Sequence, residues 1–317
     1  MKIDPEYEAV LDFLPALDLA DVHAVRAQMD AMREARGVSL PEGWADGVSI
    51  ALHEAPGPAG APPVPVHVVT PDGPVPAGGR GCLVYIHGGA FVLGDAESTL
   101  PTCARFAREA GIVVVDVEYR LAPEFPYPAG FEDCYAALVW TAAQVSALGV
   151  DLRRVGVGGA SAGGNLAAAV SLAAAERGGP ALAYQLLLYP VIDNEVSSWS
   201  VKEFHSGVPL WTGHATHQMW PLYLGDWEGE VPPTAAPARA RDLVGQPPAF
   251  VLTCQYDPLR DEGLAYAQRL LEARVPVELH LFPGTFHGYD LAPTRVTGAT
   301  LQLASAALSA ALGTPAG

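Results

Sequence analysis

From residue 81 onward, short apolar runs and helix-length stretches take turns along the chain. CLVYIHG, IVVVDVEYR, RVGVGG, LAYQLLLYP, AFVLTCQYD and VELHLFPG have the length and apolar content of strands. Runs without polar alternation predict strands buried on both faces, as in a parallel sheet. Between them, STLPTCARFAREAG, PAGFEDCYAALVWTAAQVSALG, SAGGNLAAAVSLAAAERGG and DEGLAYAQRLLEARV read as helices, and a closing helix begins at about Ala292. This alternation predicts an α/β class fold, a doubly wound, mostly parallel central sheet flanked by helices.

Two regions break the pattern. Residues 1 to about 45 read as short helices. The segment DLADVHAVRAQMDAMREARG starts on a possible cap at Asp21, ends at Gly37, and sets Val22, Val25 and Met29 on one face. The Pro/Gly-rich stretch after it holds one strand-like run, PVHVV, and reads as hairpin and loop, not as a linker between domains. Residues 193–245 carry Trp199, Trp211, Trp220 and Trp227, four of the six tryptophans, and read as an insertion lying over the sheet. The expected organisation is one catalytic domain: core over 46–192 and 246–317, covered by 1–45 and 193–245.

Composition narrows the picture. Apolar residues make up 50% of the 317, enough for a large core, and charged residues only 17%, so the chain is not a disordered one. A formal net charge of −17 repels phosphate backbones and excludes nucleic acid as a partner. No run approaches the roughly 18 apolar residues of a membrane span. The start lacks the basic-then-apolar layout of a signal peptide. Cys82, Cys103, Cys134 and Cys254 show no CxxC spacing and read as reduced and buried. A cytoplasmic location fits these features.

The candidate chemistry sits at strand ends. Gly159-Ala160-Ser161-Ala162-Gly163 falls between the strand RVGVGG and the helix that follows. In that setting G-x-S-x-G is a nucleophile elbow, a sharp turn that lifts the serine above the sheet. The helix N-terminus behind it favours developing negative charge. An oxyanion needs backbone donors: Ala162 supplies one, and the loop His87-Gly88-Gly89-Ala90 after CLVYI supplies Gly88 and Gly89, with Ala90 a further candidate. His87 reads as a loop-orienting residue. Asp257, at the end of AFVLTCQY, is the candidate acid ahead of Asp261. His287, in the loop after VELHLF, is the candidate base, whereas His280 lies inside the strand. Serine, acid and histidine occur in the order this elbow requires. His214 and His217 are three apart, but no third ligand stands nearby, so no metal is expected.

In order along the chain, HGGAF, EYRLAPEFPYPAGFEDC, GASAGGNLA, YDPLRDEG and FHGYD resemble the bacterial hormone-sensitive-lipase-like esterases, family IV carboxylesterases of the α/β-hydrolase superfamily. The resemblance runs from about residue 65 to the C-terminus. It implies an α/β-hydrolase fold with a helical cap, hydrolysis of esters with short to medium acyl chains, and no cofactor. Tyr119, Arg120 and Glu124 would then be scaffold residues. Two positions depart from the family: Ala160 stands where an acid or Thr is frequent, and Ala90 where many members have Gly. A backbone N–H survives the second change.

The expected partner is a small-molecule ester. Phe91, Leu210, Trp211, Met219, Trp220 and Tyr223, with Phe13 and Leu14, are candidates to line an apolar entrance. An amidase or peptidase on the same fold and a non-catalytic receptor are the competing readings. A receptor is expected to have lost a triad member, and none is missing here. Monomer and homodimer both remain open.

Overall fold

The computed structural model describes residues 1–36 and 43–313. Its elements run α1 (Glu8–Leu11), α2 (Val22–Arg36), β1 (Val48–Ala55), β2 (Val64–Pro71), β3 (Arg80–Ile86), α3 (Leu100–Ala110), β4 (Val113–Val117), α4 (Ala129–Ala143), α5 (Val145–Leu148) and β5 (Val150–Ala160). There follow α6 (Ala162–Glu176), β6 (Tyr184–Leu188), α7 (Trp199–Glu203), α8 (Gly213–Leu224), β7 (Ala249–Tyr256), α9 (Arg260–Glu272), β8 (Val277–Phe286) and α10 (Arg295–Leu312). The eight strands form one sheet in the order β1-β2-β4-β3-β5-β6-β7-β8. β2 is antiparallel to both β1 and β4, and every other pair is parallel.

The doubly wound reading is borne out, and strand periodicity explains why. Successive side chains point to opposite faces. Cys82, Val84 and Ile86 of β3 pack on one side with Val113, Val115 and Val117 of β4, under α4, α6 and α9. Leu83, Tyr85 and Val114 pack on the other, under α3 and α10. Both faces are covered, so β3, β4 and β6 are buried along their whole length. At that burial each large apolar side chain contributes roughly 1.5–3 kcal/mol.

β1 was not expected. As the outer strand of a hairpin it buries only Ala55 fully, so it has no continuous apolar run to mark it. β8 closes the other edge with Leu279 and Leu281 exposed. The start of α2 follows expectation: Asp21 accepts the Ala24 amide at 3.0 Å, and Val22 is buried. Met29, on the same predicted face, is 43% exposed. Gly37, its expected end, lies outside the described residues. All four cysteines are unbridged and buried. Among the described residues, no helix is long and apolar enough to cross a membrane.

Candidate active site

Ser161 connects β5 to α6 with φ 57° and ψ −118°, a backbone that non-glycine residues rarely hold. Its amide donates to the Leu188 carbonyl at 2.9 Å. The glycine two positions on is required by space: a Cβ on Gly163 would lie 2.0 Å from the Ile86 carbonyl oxygen and 2.6 Å from that of His87. Close approach of this helix start to β3 brings the loop after β3 against the serine. A Cβ on Gly88 would stand 3.4 Å from Ser161 Cβ.

His287 follows β8 and Asp257 follows β7, so the parallel order of the sheet delivers both to the C-terminal edge that carries Ser161. His287 Nε2 lies 2.8 Å from Ser161 Oγ, and Nδ1 lies 2.9 Å from Asp257 Oδ2. The network assigns the tautomer: Nδ1–H donates to the carboxylate, and Nε2 accepts from the serine hydroxyl. Asp257 is fully buried, and its Oδ1 accepts the Leu259 amide at 2.8 Å. The imidazole is flanked by Tyr189, edge-on at 5.0 Å between centroids, and by Trp211 at 5.9 Å.

The oxyanion-loop candidates form a strained turn. Gly89, Ala90 and Phe91 have φ 120°, 56° and 63°. The Gly89 carbonyl accepts from the Val92 and Leu93 amides at 3.0 and 2.7 Å. His87 sits beneath, stacked on Tyr119 at 4.2 Å, with Nδ1–H donating to the Gly88 carbonyl at 2.7 Å. Burial pushes its imidazole down to about 4, so it is neutral, as befits a loop-orienting residue.

A family model described as alpha/beta hydrolase fold matches residues 83–291. The chain belongs to this family. Carboxylesterase NlhH of Mycobacterium tuberculosis is 37% identical over 293 residues, which cover 90% of this chain and 88% of that one. Esterase LipI of the same organism is 42% identical over 208 residues, 65% of each chain. A solved structure of a bacterial heroin esterase superposes with TM-score 0.92 at 44% identity, covering 99% of both chains. These matches bear out the resemblance drawn from the motifs.

Within this α/β hydrolase, the rejected candidates have other partners. Asp261 accepts the Ser200 amide at 2.8 Å and pairs with Arg260, tying α9 to α7. His280 lies 2.8 Å from Glu278 on β8. His214 and His217 pack around His205, and no group of three or more metal-ligating side chains among the described residues is arranged to hold an ion. Arg120 grips Asp133 with two nitrogens, at 2.7 and 2.8 Å, in keeping with a scaffold role.

The six entrance candidates divide. Trp211 faces His287, and Leu210 lies over the loop beyond it, where a Cβ on Gly288 would meet its Cδ2 at 2.6 Å. Phe91 leaves the candidate oxyanion loop and stacks on Tyr223 at 3.7 Å, with Trp220 beside both. Phe91, Trp211, Met219, Trp220 and Tyr223 are all buried within one core cluster, and of these Trp211 is the one in ring contact with His287. Leu14 accepts the Leu210 amide at 3.2 Å, and Phe13 is exposed.

Sequence reading missed one pair beside the histidine. Tyr189 directs its hydroxyl to both oxygens of Asp290, at 2.6 and 2.7 Å. Burial holds that carboxyl above its ordinary range and the phenol well above its own. The FHGYD motif contained Asp290, but nothing local to it points to Tyr189, a hundred residues earlier at the end of β6.

Proposed function

We propose that this carboxylic ester hydrolase acts through an acyl-enzyme on Ser161. The observation that carries this is the unbroken chain of contacts from Ser161 Oγ through His287 to Asp257, at 2.8 and 2.9 Å. Ser161 Oγ attacks the ester carbonyl carbon while its proton passes to His287 Nε2. Asp257 holds the imidazolium through Nδ1–H. The carbonyl oxygen becomes an oxyanion and accepts from the amides of Ala162, Gly88 and Gly89, donors already aimed before the charge develops. Collapse expels the alkoxide, which takes the proton from Nε2. Water then repeats the sequence on the acyl-enzyme: His287 takes its proton, the hydroxide oxygen adds to the acyl carbon, and the acid leaves as Ser161 recovers its proton.

The described parts of residues 1–45, together with 193–245, form the cap in this reading, and short to medium acyl chains are the substrates. Supporting it are the apolar residues that these segments bring to the site: Leu14, Leu210 and Trp211, beside Phe91 from the core. The unbridged, buried cysteines suit the reducing cytoplasm. Monomer and homodimer both fit the open β8 edge, and light scattering on the purified protein decides between them.

The test compares wild type with Ser161→Ala on p-nitrophenyl esters from acetyl to palmitoyl, beside matched amides. The wild type is expected to favour the shorter acyl esters, with the variant down by roughly 10⁴-fold or more. A wild type that cleaves the amides and leaves the esters would overturn the ester reading. A Ser161→Ala variant that keeps its activity would remove Ser161 as nucleophile.

A further inference from the structure

The oxyanion loop is built from residues that resist its shape. Ala90 and Phe91, side by side in the left-handed region, each cost of order 1 kcal/mol against an extended backbone. Such a turn keeps its aim only if its surroundings over-determine it. The inner side is held by His87. The outer side, where the chain leaves the turn, has a different holder.

Arg26 comes from α2, in the N-terminal segment. Its Nε donates to the Val92 carbonyl at 2.8 Å, and its Nη2 donates to the Ala122 carbonyl, also at 2.8 Å. Val92 is the first residue after the strained pair. Ala122 donates its own amide to the Phe91 carbonyl at 2.9 Å. One guanidinium therefore bridges the exit of the oxyanion loop and the segment that the exit is hydrogen-bonded to. Glu124 completes the clamp, accepting from Nη1 at 2.6 Å and Nη2 at 3.0 Å. Four of the five donors of this planar fork are engaged, a pattern that a lysine cannot reproduce from a single nitrogen.

We infer that Arg26 is a positioning residue for the oxyanion hole, and that the N-terminal helix thereby contributes to turnover as well as covering the site. This rests on the acyl-enzyme reading given above. Val92 and Ala122 are buried, so losing Arg26 leaves two buried carbonyls unpaired and costs some stability besides its effect on the turn. What is lost is the restraint on a turn whose donors must meet the oxyanion within a few tenths of an ångström. Misplacement of that order lowers turnover and leaves ground-state binding alone.

The experiment measures kcat and KM on p-nitrophenyl butyrate and the affinity of an alkyl trifluoromethyl ketone. The serine adduct of that ketone carries an oxyanion. Wild type is compared with Arg26→Ala, Arg26→Lys and Glu124→Gln. For Arg26→Ala we expect kcat to fall by about tenfold or more, KM to hold near its wild-type value, and ketone affinity to weaken in proportion to kcat. Arg26→Lys should fall between, and Glu124→Gln, which keeps both carbonyl contacts but weakens the clamp on the guanidinium, should lose less than Arg26→Lys. If Arg26→Ala does not fold, Arg26→Lys carries the same test. An unchanged kcat, a rise in KM alone, or a loss of kcat without loss of ketone affinity would each overturn the assignment. A wild type inert on the ester would instead overturn the acyl-enzyme reading beneath it.

Discussion

Ser161 and Leu210 both hold a positive φ, at 57° and 60°. They are held there by different means. Ser161 is clamped within the sheet. Its amide bonds to Leu188, its carbonyl accepts from Asn165 and Val191, and Gly163 lets β3 close in behind it. Leu210 is held by two backbone hydrogen bonds to the N-terminal segment: its amide donates to Leu14 at 3.2 Å, and its carbonyl accepts from Leu17 at 2.8 Å. Packing enforces the first turn from all sides, whereas one strand of chain enforces the second.

The strongest way to break this contrast is Gly163→Ala. The new methyl carbon would sit 2.0 Å from a carbonyl oxygen of β3, and neither the helix nor the strand can yield without moving Ser161 or the oxyanion loop. Turnover on p-nitrophenyl butyrate should fall by about 100-fold or more, and stability by roughly 1–3 kcal/mol in a denaturant melt. Near-normal turnover would mean that the elbow is not clamped as described.

The same contrast decides what could be read from the chain. The elbow is local: strand, G-x-S-x-G and helix are contiguous, so periodicity and one motif locate Ser161 and the proposed donor at Ala162. Asp257 and His287 were legible because parallel strands deliver their C-terminal ends to one edge: Asp257 directly follows a strand-like run, and His287 lies in the loop after one. Arg26, Tyr189 and the Leu14–Leu210 pairing were not legible. Each depends on a partner far along the chain, chosen by tertiary packing and not by any local pattern. β1 escaped for a related reason, since an edge strand with one solvated face carries no apolar run. The entrance candidates were chosen for being aromatic or apolar. That criterion does not separate Trp211, whose ring faces His287, from Met219, buried in the same core cluster with no ring contact to the histidine.

The proposed oxyanion loop stands between the two extremes, and acid reveals how firmly its inner side is fixed. Burial lowers the His87 imidazole from its ordinary 6.5 to about 4. The folded state therefore refuses a proton that the unfolded chain accepts, so stability from this group is whole above pH 6.5 and drains away as pH falls towards 4. The full loss is about 3 kcal/mol. The buried carboxyls of Asp116, Asp290 and Glu262 are raised by burial and act with the opposite sign, so a difference measurement is needed. His87→Phe keeps the stack on Tyr119 and removes the titration. Chemical unfolding of both proteins at several pH values should show wild type losing stability relative to His87→Phe across that window. Parallel curves would mean that His87 takes a proton in the folded state as readily as in the unfolded one.

The smallest effect is the sharpest test of the second turn. Leu210→Ala and Leu210→Gly both remove the methyl groups that lie against Gly288, so they share whatever that contact contributes. They differ in backbone alone. At an ordinary site the glycine variant is the less stable, by about 0.4–1 kcal/mol, because glycine has more freedom to lose on folding. At φ 60° the alanine retains the strain of a left-handed residue, of order 1–2 kcal/mol, and the glycine escapes it. The second quantity exceeds the first, so the order should invert, with Leu210→Gly more stable than Leu210→Ala by roughly 0.5–1 kcal/mol in paired denaturant melts. Holding the strain requires both hydrogen bonds to the N-terminal segment. Removal of residues 1–17 should therefore erase the inversion, because a freed Leu210 would relax to negative φ and the alanine would regain its usual advantage. An inversion that survives the truncation would move the source of the strain from the N-terminal segment to the core beneath it.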